Sequence, residues 1–68
     1  MKVDTQALRA RMTYHKRLQR EIATALGITR VTLNVKLQTG DFKISEIHRL
    51  MKAIPLSMKE VEQIFFAD

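Results

Sequence analysis

Apolar residues recur along this chain at intervals of three and four, the repeat of an α-helix and not the alternation of a strand. Val3 and Ala7 are four apart, as are Leu8 and Met12. Leu18, Ile22 and Leu26 keep the same interval with Ala25 beside them, and Leu33 and Leu37 repeat it. Ile47, Leu50, Met51 and Ile54 follow at three, one and three, and Val61, Ile64 and Phe65 close the pattern. The polar and helix-breaking residues between these stretches predict where helices start and stop. Asp4 or Thr5 caps a first helix that runs to about Met12. The second begins either at Thr13 or nearer Arg17, because Thr13-Tyr14-His15-Lys16-Arg17 holds neither glycine nor proline. Gly27 ends it, since glycine takes the left-handed conformation cheaply. Thr29 caps a third helix over about residues 30–38, which Gly40 ends and Asp41 follows as turn chemistry. Ser45 or Ile44 opens a fourth, and Pro55 stops it because the residue before proline avoids the helical region. Ser57-Met58-Lys59-Glu60 reads as a capping box for a fifth. The expectation is a compact all-α bundle of five short helices, one domain over residues 1–68.

Composition narrows the chemistry. A chain of 68 residues buries only about 60% of its unfolded surface and has little material for a deep catalytic pocket. It has no cysteine, hence no disulfide, thiolate metal site or thiol nucleophile. Apolar residues at 46% and charged residues at 28% fit a globular protein. No apolar run is long enough to span a membrane, and Val3-Asp4-Thr5-Gln6 is no secretory leader, so a cytoplasmic protein is expected. His15 and His48 are far apart and show no metal-site spacing. Glu60 and Glu62 are two apart and do not share a helix face. Ser45 and Ser57 both fall at helix starts, which leaves a serine nucleophile little support. There is no glycine-rich phosphate loop, and Met12, Met51 and Met58 read as packing. The expectation is no enzyme, no metal and no cofactor.

Charge adds the first positive clue. Twelve basic and seven acidic side chains leave a net +5. Residues 1–43 hold nine basic and three acidic, a net +6, and residues 44–68 hold three and four, a net −1. The first portion suits an anionic partner, the second an apolar or protein partner, with solubility as the plainer account of both.

The informative stretch is Gln19 to Gln38, QREIATALGITRVTLNVKLQ. Two helices joined by a short turn and packed at about 90–120° make a helix-turn-helix. Close approach needs a small residue inside the first helix, and Ala23 is one. The turn needs a residue tolerant of positive φ four places on, and Gly27 is there. Ile22, Leu26, Ile28 and Leu33 supply apolar anchors around the turn. Thr29, Arg30 and Thr32 give the second helix a polar, anion-tolerant start.

On these residues the segment resembles the Cro/CI-type, lambda-repressor-like helix-turn-helix family of phage and bacterial regulators. The matching positions are Gln19, Ile22, Ala23, Leu26, Gly27, Ile28, Thr29, Arg30, Thr32, Leu33, Lys36 and Leu37. The likeness continues through Gly40-Asp41-Phe42 and Ser45-Glu46-Ile47 to Leu56-Ser57, over about residues 5–66. The chain departs from the family at Lys16, Arg17 and Leu18, where a glycine and a Ser/Thr cap usually precede the glutamine. It is also about one residue longer through Gln38-Thr39-Gly40, and it has lysine at 36, where many members are apolar. The resemblance implies the five-helix domain of that family, with the motif at helices two and three. It implies that Gln19 contacts a phosphate and that Thr29 contacts phosphate or a base edge. Arg30, Val31, Asn34 and Val35 would enter the major groove, and Gln38 and Lys43 would contact backbone phosphates.

Physical chemistry agrees with those roles. Arg30 can donate twice to guanine O6 and N7, and Asn34 can pair with adenine N6 and N7. Val31 and Val35 are four apart and form an apolar strip that a thymine methyl would explain; the alternative is that both are core. Arg9, Arg11, Lys16, Arg17, Arg20, Lys36 and Lys43 are candidates for phosphate contacts. Phe65 and Phe66 cannot both face one small core, so a homodimer through this end of the fifth helix is expected, against a terminus folded back on its own core. Two recognition helices about 34 Å apart would then read a palindrome. The function expected is a sequence-specific double-stranded DNA-binding transcription regulator, a short Cro-like repressor of phage or prophage origin without a separate effector domain. It would act in the bacterial cytoplasm at the nucleoid. The alternative is a protein-interaction module, an antitoxin or anti-regulator built on a degenerate helix-turn-helix.

Overall fold

The polar residues that punctuate the sequence do most of the work of starting the helices. The computed structural model describes residues 2–66. It contains α1 (Thr5–Tyr14), α2 (Gln19–Leu26), α3 (Arg30–Thr39), α4 (Ile44–Ala53) and α5 (Met58–Phe65), with no strand among the described residues. The Asp4 carboxylate accepts the Ala7 N–H at 3.1 Å and starts α1. This helix runs two residues past the expected Met12, because Thr13 and Tyr14 continue its turns. Thr13 therefore does not cap the second helix. The chain reverses instead through Lys16, at φ +57°, the one non-glycine residue with positive φ among those described.

Leu18 precedes α2 as its N-cap, and its N–H donates to the Glu21 carboxylate at 2.8 Å. Leu18 thus stands outside the helical repeat and is exposed, as is Ala25. The buried stripe is Ile22, Ala23 and Leu26, a correction to the expected Leu18/Ile22/Leu26 row. Gly27 ends α2 at φ +72°, and Ile28 N–H reaches back to the Ala23 carbonyl at 3.0 Å. Thr29 starts α3 by accepting the Thr32 N–H at 3.1 Å. Lys43 precedes α4, its N–H bound by the Glu46 carboxylate at 2.8 Å. At α5 the box is complete: Ser57 Oγ accepts the Glu60 N–H at 3.2 Å, and Glu60 Oε1 accepts the Ser57 N–H at 3.0 Å.

One core joins the five helices. Leu8, Ile22, Leu26, Leu33, Leu37, Phe42, Ile47, Leu50 and Ile54 are its fully buried large side chains. α2 packs on α3 and α4, and α1 packs on α5. Met58, expected inside, lies at the exposed first position of α5.

Residues 2–4 form a clasp over two helix ends. Val3 N–H donates to the Gly40 carbonyl and Asp4 N–H to the Ile64 carbonyl, both at 2.8 Å. Lys2 Nζ adds a bond to the Thr39 carbonyl at 2.9 Å. Gly40, at φ +76°, lets this clasp approach: a Cβ there would lie 2.9 Å from the Val3 oxygen. The C-terminal end of α3 is thereby held to the C-terminal end of α5.

Candidate functional site

The connection between α2 and α3 is only Gly27-Ile28-Thr29. Arg49 fixes it from α4: its guanidinium donates to the Leu26 carbonyl at 3.0 Å, satisfying an end that the helix leaves open. With Leu33 and Leu37 turned into the core, the other side of α3 is presented outward. Arg30, Val31, Asn34, Val35 and Gln38 are all exposed there. Val31 is 76% and Val35 51% exposed, which rules out the core reading of the pair. Ten residues make α3 a rod about 15 Å long.

The half-buried Gln19, in the first turn of α2, faces the start of α3. It shares a shallow open groove with Arg30, Val31 and Asn34. An adjoining depression is lined by Leu18, Gln19, Arg20 and Arg30. Four of the sequence-predicted residues therefore come together. Val35 and Gln38 lie on the same helix and outside the groove. Lys43 is exposed one connection further, ahead of α4. Thr29 is exposed, but its hydroxyl is engaged in capping and lies 3.0 Å from Thr32 Oγ1.

The carboxylates are stationed elsewhere. Asp4, Glu21, Glu46 and Glu60 each accept a main-chain N–H at the start of α1, α2, α4 and α5. The first turn of α3 has no acid, and its cap is a neutral hydroxyl. Its partial positive charge is left uncompensated next to Arg30. Among the described residues, Arg20 and Arg30 make no side-chain hydrogen bond or ion pair.

Several cations expected to meet phosphate are instead engaged by other parts of the chain. Lys36 pairs with Glu46 at 3.0 Å and lies 5.9 Å from the Phe42 ring centre. Arg11 pairs with Glu60 at 2.7 Å and stacks on Tyr14 at 4.7 Å. Arg17 Nε donates to the Ala53 carbonyl at 3.1 Å. Of the seven candidates, Arg9, Lys16 and Arg20 are left with no such partner among the described residues, while Lys43 acts on Glu46 through its N–H and its charge. Lysine at 36, a departure from the resembled family, has its reason here. Glu46 is only 6% exposed and needs a nearby cation. Burial pushes the Glu46 carboxyl up, the largest single influence, but the Lys43 N–H and the Lys36 ammonium together hold it below its ordinary value. The Ser57 N–H, followed by the Ser57 hydroxyl and Arg11, holds Glu60 low against a smaller opposing push from desolvation.

No family model, no curated protein and no solved structure matches this chain.

Arg49 and Leu18 were the residues missed from sequence. Arg49 acts on a carbonyl 23 positions away, and no local signal announces that. Leu18 is apolar and in register, so periodicity alone places it in the buried row. The two phenylalanines divide sharply. Phe65 is 2% exposed and packs in the core, so it is not available to a partner; Phe66 is 55% exposed. Of the two residues expected at a homodimer contact, Phe66, the C-cap of α5, is the one presented outward. Among the described residues no group of acids and histidines could hold a metal, and no helix is long and apolar enough to cross a membrane.

Proposed function

We propose that this chain is a sequence-specific double-stranded DNA-binding regulator of the Cro/CI type, with α3 as its recognition helix. The observation that carries the reading is the outward face of α3. It offers Arg30 and Asn34, both able to bind base edges bidentately, on an α3 whose first turn is free of carboxylate, with Gln19 and Arg20 of α2 beside them. A rod of this length and width suits the roughly 12 Å major groove. The turn before α2 adds support. Lys16 adopts a left-handed conformation, which a glycine takes cheaply, in the stretch where the resembled family usually has one. Gln19, Arg20 and Lys43 contact phosphate, Arg30 and Asn34 read bases, and binding excludes polymerase or a competing repressor from an operator. A homodimer through Phe66 would set two α3 helices on successive major grooves. Such a protein acts at the nucleoid of a bacterial cell, and the resemblance to Cro/CI-type regulators suggests a phage or prophage.

Selection of bound duplexes from a random pool at two salt concentrations tests this directly. A selected site should emerge, with affinity falling steeply as salt rises. Arg30→Ala should weaken binding to the selected site by about 1–3 kcal/mol and relax preference at one base position. An equal loss on selected and random DNA would remove Arg30 from base reading. The exposed Val31/Val35 strip favours a second reading, a protein-interaction module; salt-insensitive failure to bind any duplex, with tight capture of one protein partner, selects it.

A further inference from the structure

Leu18 is an apolar residue that neither the core nor the helix it precedes accounts for. It is 52% exposed, and leucine is among the poorest N-cap residues because its side chain accepts no hydrogen bond. Its N–H is held by the Glu21 carboxylate at 2.8 Å. The side chain forms one wall of a depression of about 420 Å³, whose other walls are Gln19, Arg20 and Arg30. Gln19 and Arg30 continue into the groove of about 480 Å³ that holds Val31 and Asn34. The two hollows adjoin, and each has the size of a small-ligand site, about 300–1,000 Å³.

Arg20 and Arg30 come from different helices, and neither makes a side-chain hydrogen bond or ion pair among the described residues. A guanidinium fork binds phosphate through two parallel hydrogen bonds. A phosphate monoester carries about −1.5 to −2 near neutral pH and matches two guanidiniums, whereas each phosphate of a nucleic-acid backbone carries a single charge. The nearest carboxylate in sequence, Glu21, is turned to the Leu18 N–H, and the first turn of α3 has no acid. Leu18 offers an apolar surface on which the flat face of a nucleobase can lie. A phosphate alone would leave it uncovered. The Gln19 and Asn34 amides present donors and acceptors to the base edge. We propose that this double depression binds a free nucleoside monophosphate, its phosphate between Arg20 and Arg30 and its base against Leu18. On the DNA-binding reading the same arginines engage the duplex, so nucleotide and operator exclude one another and a small metabolite releases the chain from DNA. The competition rests on that reading; the nucleotide site itself does not.

The test titrates the common nucleoside 5′-monophosphates, their parent nucleosides and inorganic phosphate into the full chain at low salt, following backbone amide signals. At least one monophosphate should shift the amides of residues 18–20 and 30–34 and bind about tenfold tighter than inorganic phosphate or its own nucleoside. Leu18→Ser puts a good cap in place of a poor one and so keeps the fold. It should remove most of the advantage over inorganic phosphate and leave the binding of phosphate itself unchanged. Arg20→Ala should weaken every phosphate-bearing probe by about tenfold. Inorganic phosphate that binds as tightly as every nucleotide, or a Leu18→Ser chain that keeps the advantage, would overturn the nucleotide site. Displacement of the duplex selected from the random pool, at the nucleotide concentration that fills the site, supports the competition; a filled site with the duplex still bound overturns it. A chain that selects a duplex but shows no shift with any nucleotide loses the site and keeps the DNA reading. A chain that binds the nucleotide but selects no duplex keeps the site and loses the DNA reading.

Discussion

Gly27 and Gly40 hold nearly the same left-handed φ, +72° and +76°, but a methyl group would meet different surroundings at each. At Gly27 a Cβ finds only the end of the Arg49 side chain, 3.8 Å away. Gly27→Ala should therefore lose the backbone preference alone, about 1–2 kcal/mol. At Gly40 a Cβ lies 2.9 Å from the Val3 oxygen and 3.6 Å from the Val3 nitrogen, both main-chain atoms that cannot swing aside. Gly40→Ala must push the clasp outward. That weakens the Val3 N–H bond to the Gly40 carbonyl, about 0.5–1.5 kcal/mol, and exposes part of a buried valine worth about 1.5–3 kcal/mol when fully covered. Partial loss of each adds about 1–3 kcal/mol, so Gly40→Ala should cost about 2–5 kcal/mol in all. At about 0.05–0.15 kcal/mol per residue the whole domain holds only about 3–10 kcal/mol, so the difference between the two variants is large enough to measure. Urea unfolding followed by far-ultraviolet circular dichroism reads it. Deleting residues 1–3 should remove most of the extra loss, because the obstructing atoms leave with them. Losses for the two glycines that agree within about 0.5 kcal/mol would refute the reasoning.

Three further outcomes are expected. Glu46→Gln keeps an acceptor for the Lys43 N–H but removes the charge facing Lys36, and should destabilise by about 1–3 kcal/mol; urea unfolding that matches the parent chain would mean the pair contributes nothing. Glu46 and Glu60 titrate lower in the folded chain than in the unfolded one, so their contribution is complete above the unfolded pKa, near 4.3, and is lost as pH falls through the folded values. The thermal midpoint should accordingly drop between about pH 5 and about pH 3, less so in a Glu46→Gln/Glu60→Gln variant, and an equally steep drop in both contradicts the assignment. Phe66→Glu should convert a sedimenting dimer to a monomer; a parent chain that is monomeric at tens of micromolar, with and without DNA, ends the Phe66 dimer.

Features built from residues within about four positions of one another were legible in the sequence. The Ser57/Glu60 box, the Thr29 cap, the Asp4 cap and the glycine stops at Gly27 and Gly40 all act inside a single helical turn, so their residue types disclose them. The outward group of Arg30, Val31 and Asn34 was readable for the same reason, once Leu33 and Leu37 defined the buried side. Features that depend on distant partners were not. Nothing near Lys36 announces that it neutralises Glu46, and nothing near Arg49 announces the Leu26 carbonyl. Charge counting therefore offers Lys36, Arg11 and Arg17 as phosphate contacts, although each is tied to another part of the chain. The misplacement of Leu18 has a different origin. Periodicity is blind to phase at a helix end, and a residue one step outside the first turn still fits the repeat.

The bond from Asp4 to Ile64 joins positions sixty apart, and the neighbouring bond from Val3 ties in the far end of α3. Closing so long a loop carries an entropic cost that local turns do not, so weakening these bonds is expected to speed unfolding more than it slows folding. Amide exchange at Val3 and Asp4 would then report a local release at one end of the molecule well before the interior opens. During each such release the tail of α3 loses its anchor, so on the proposed DNA-binding reading the steadiness of the recognition helix depends on the first residues of the chain.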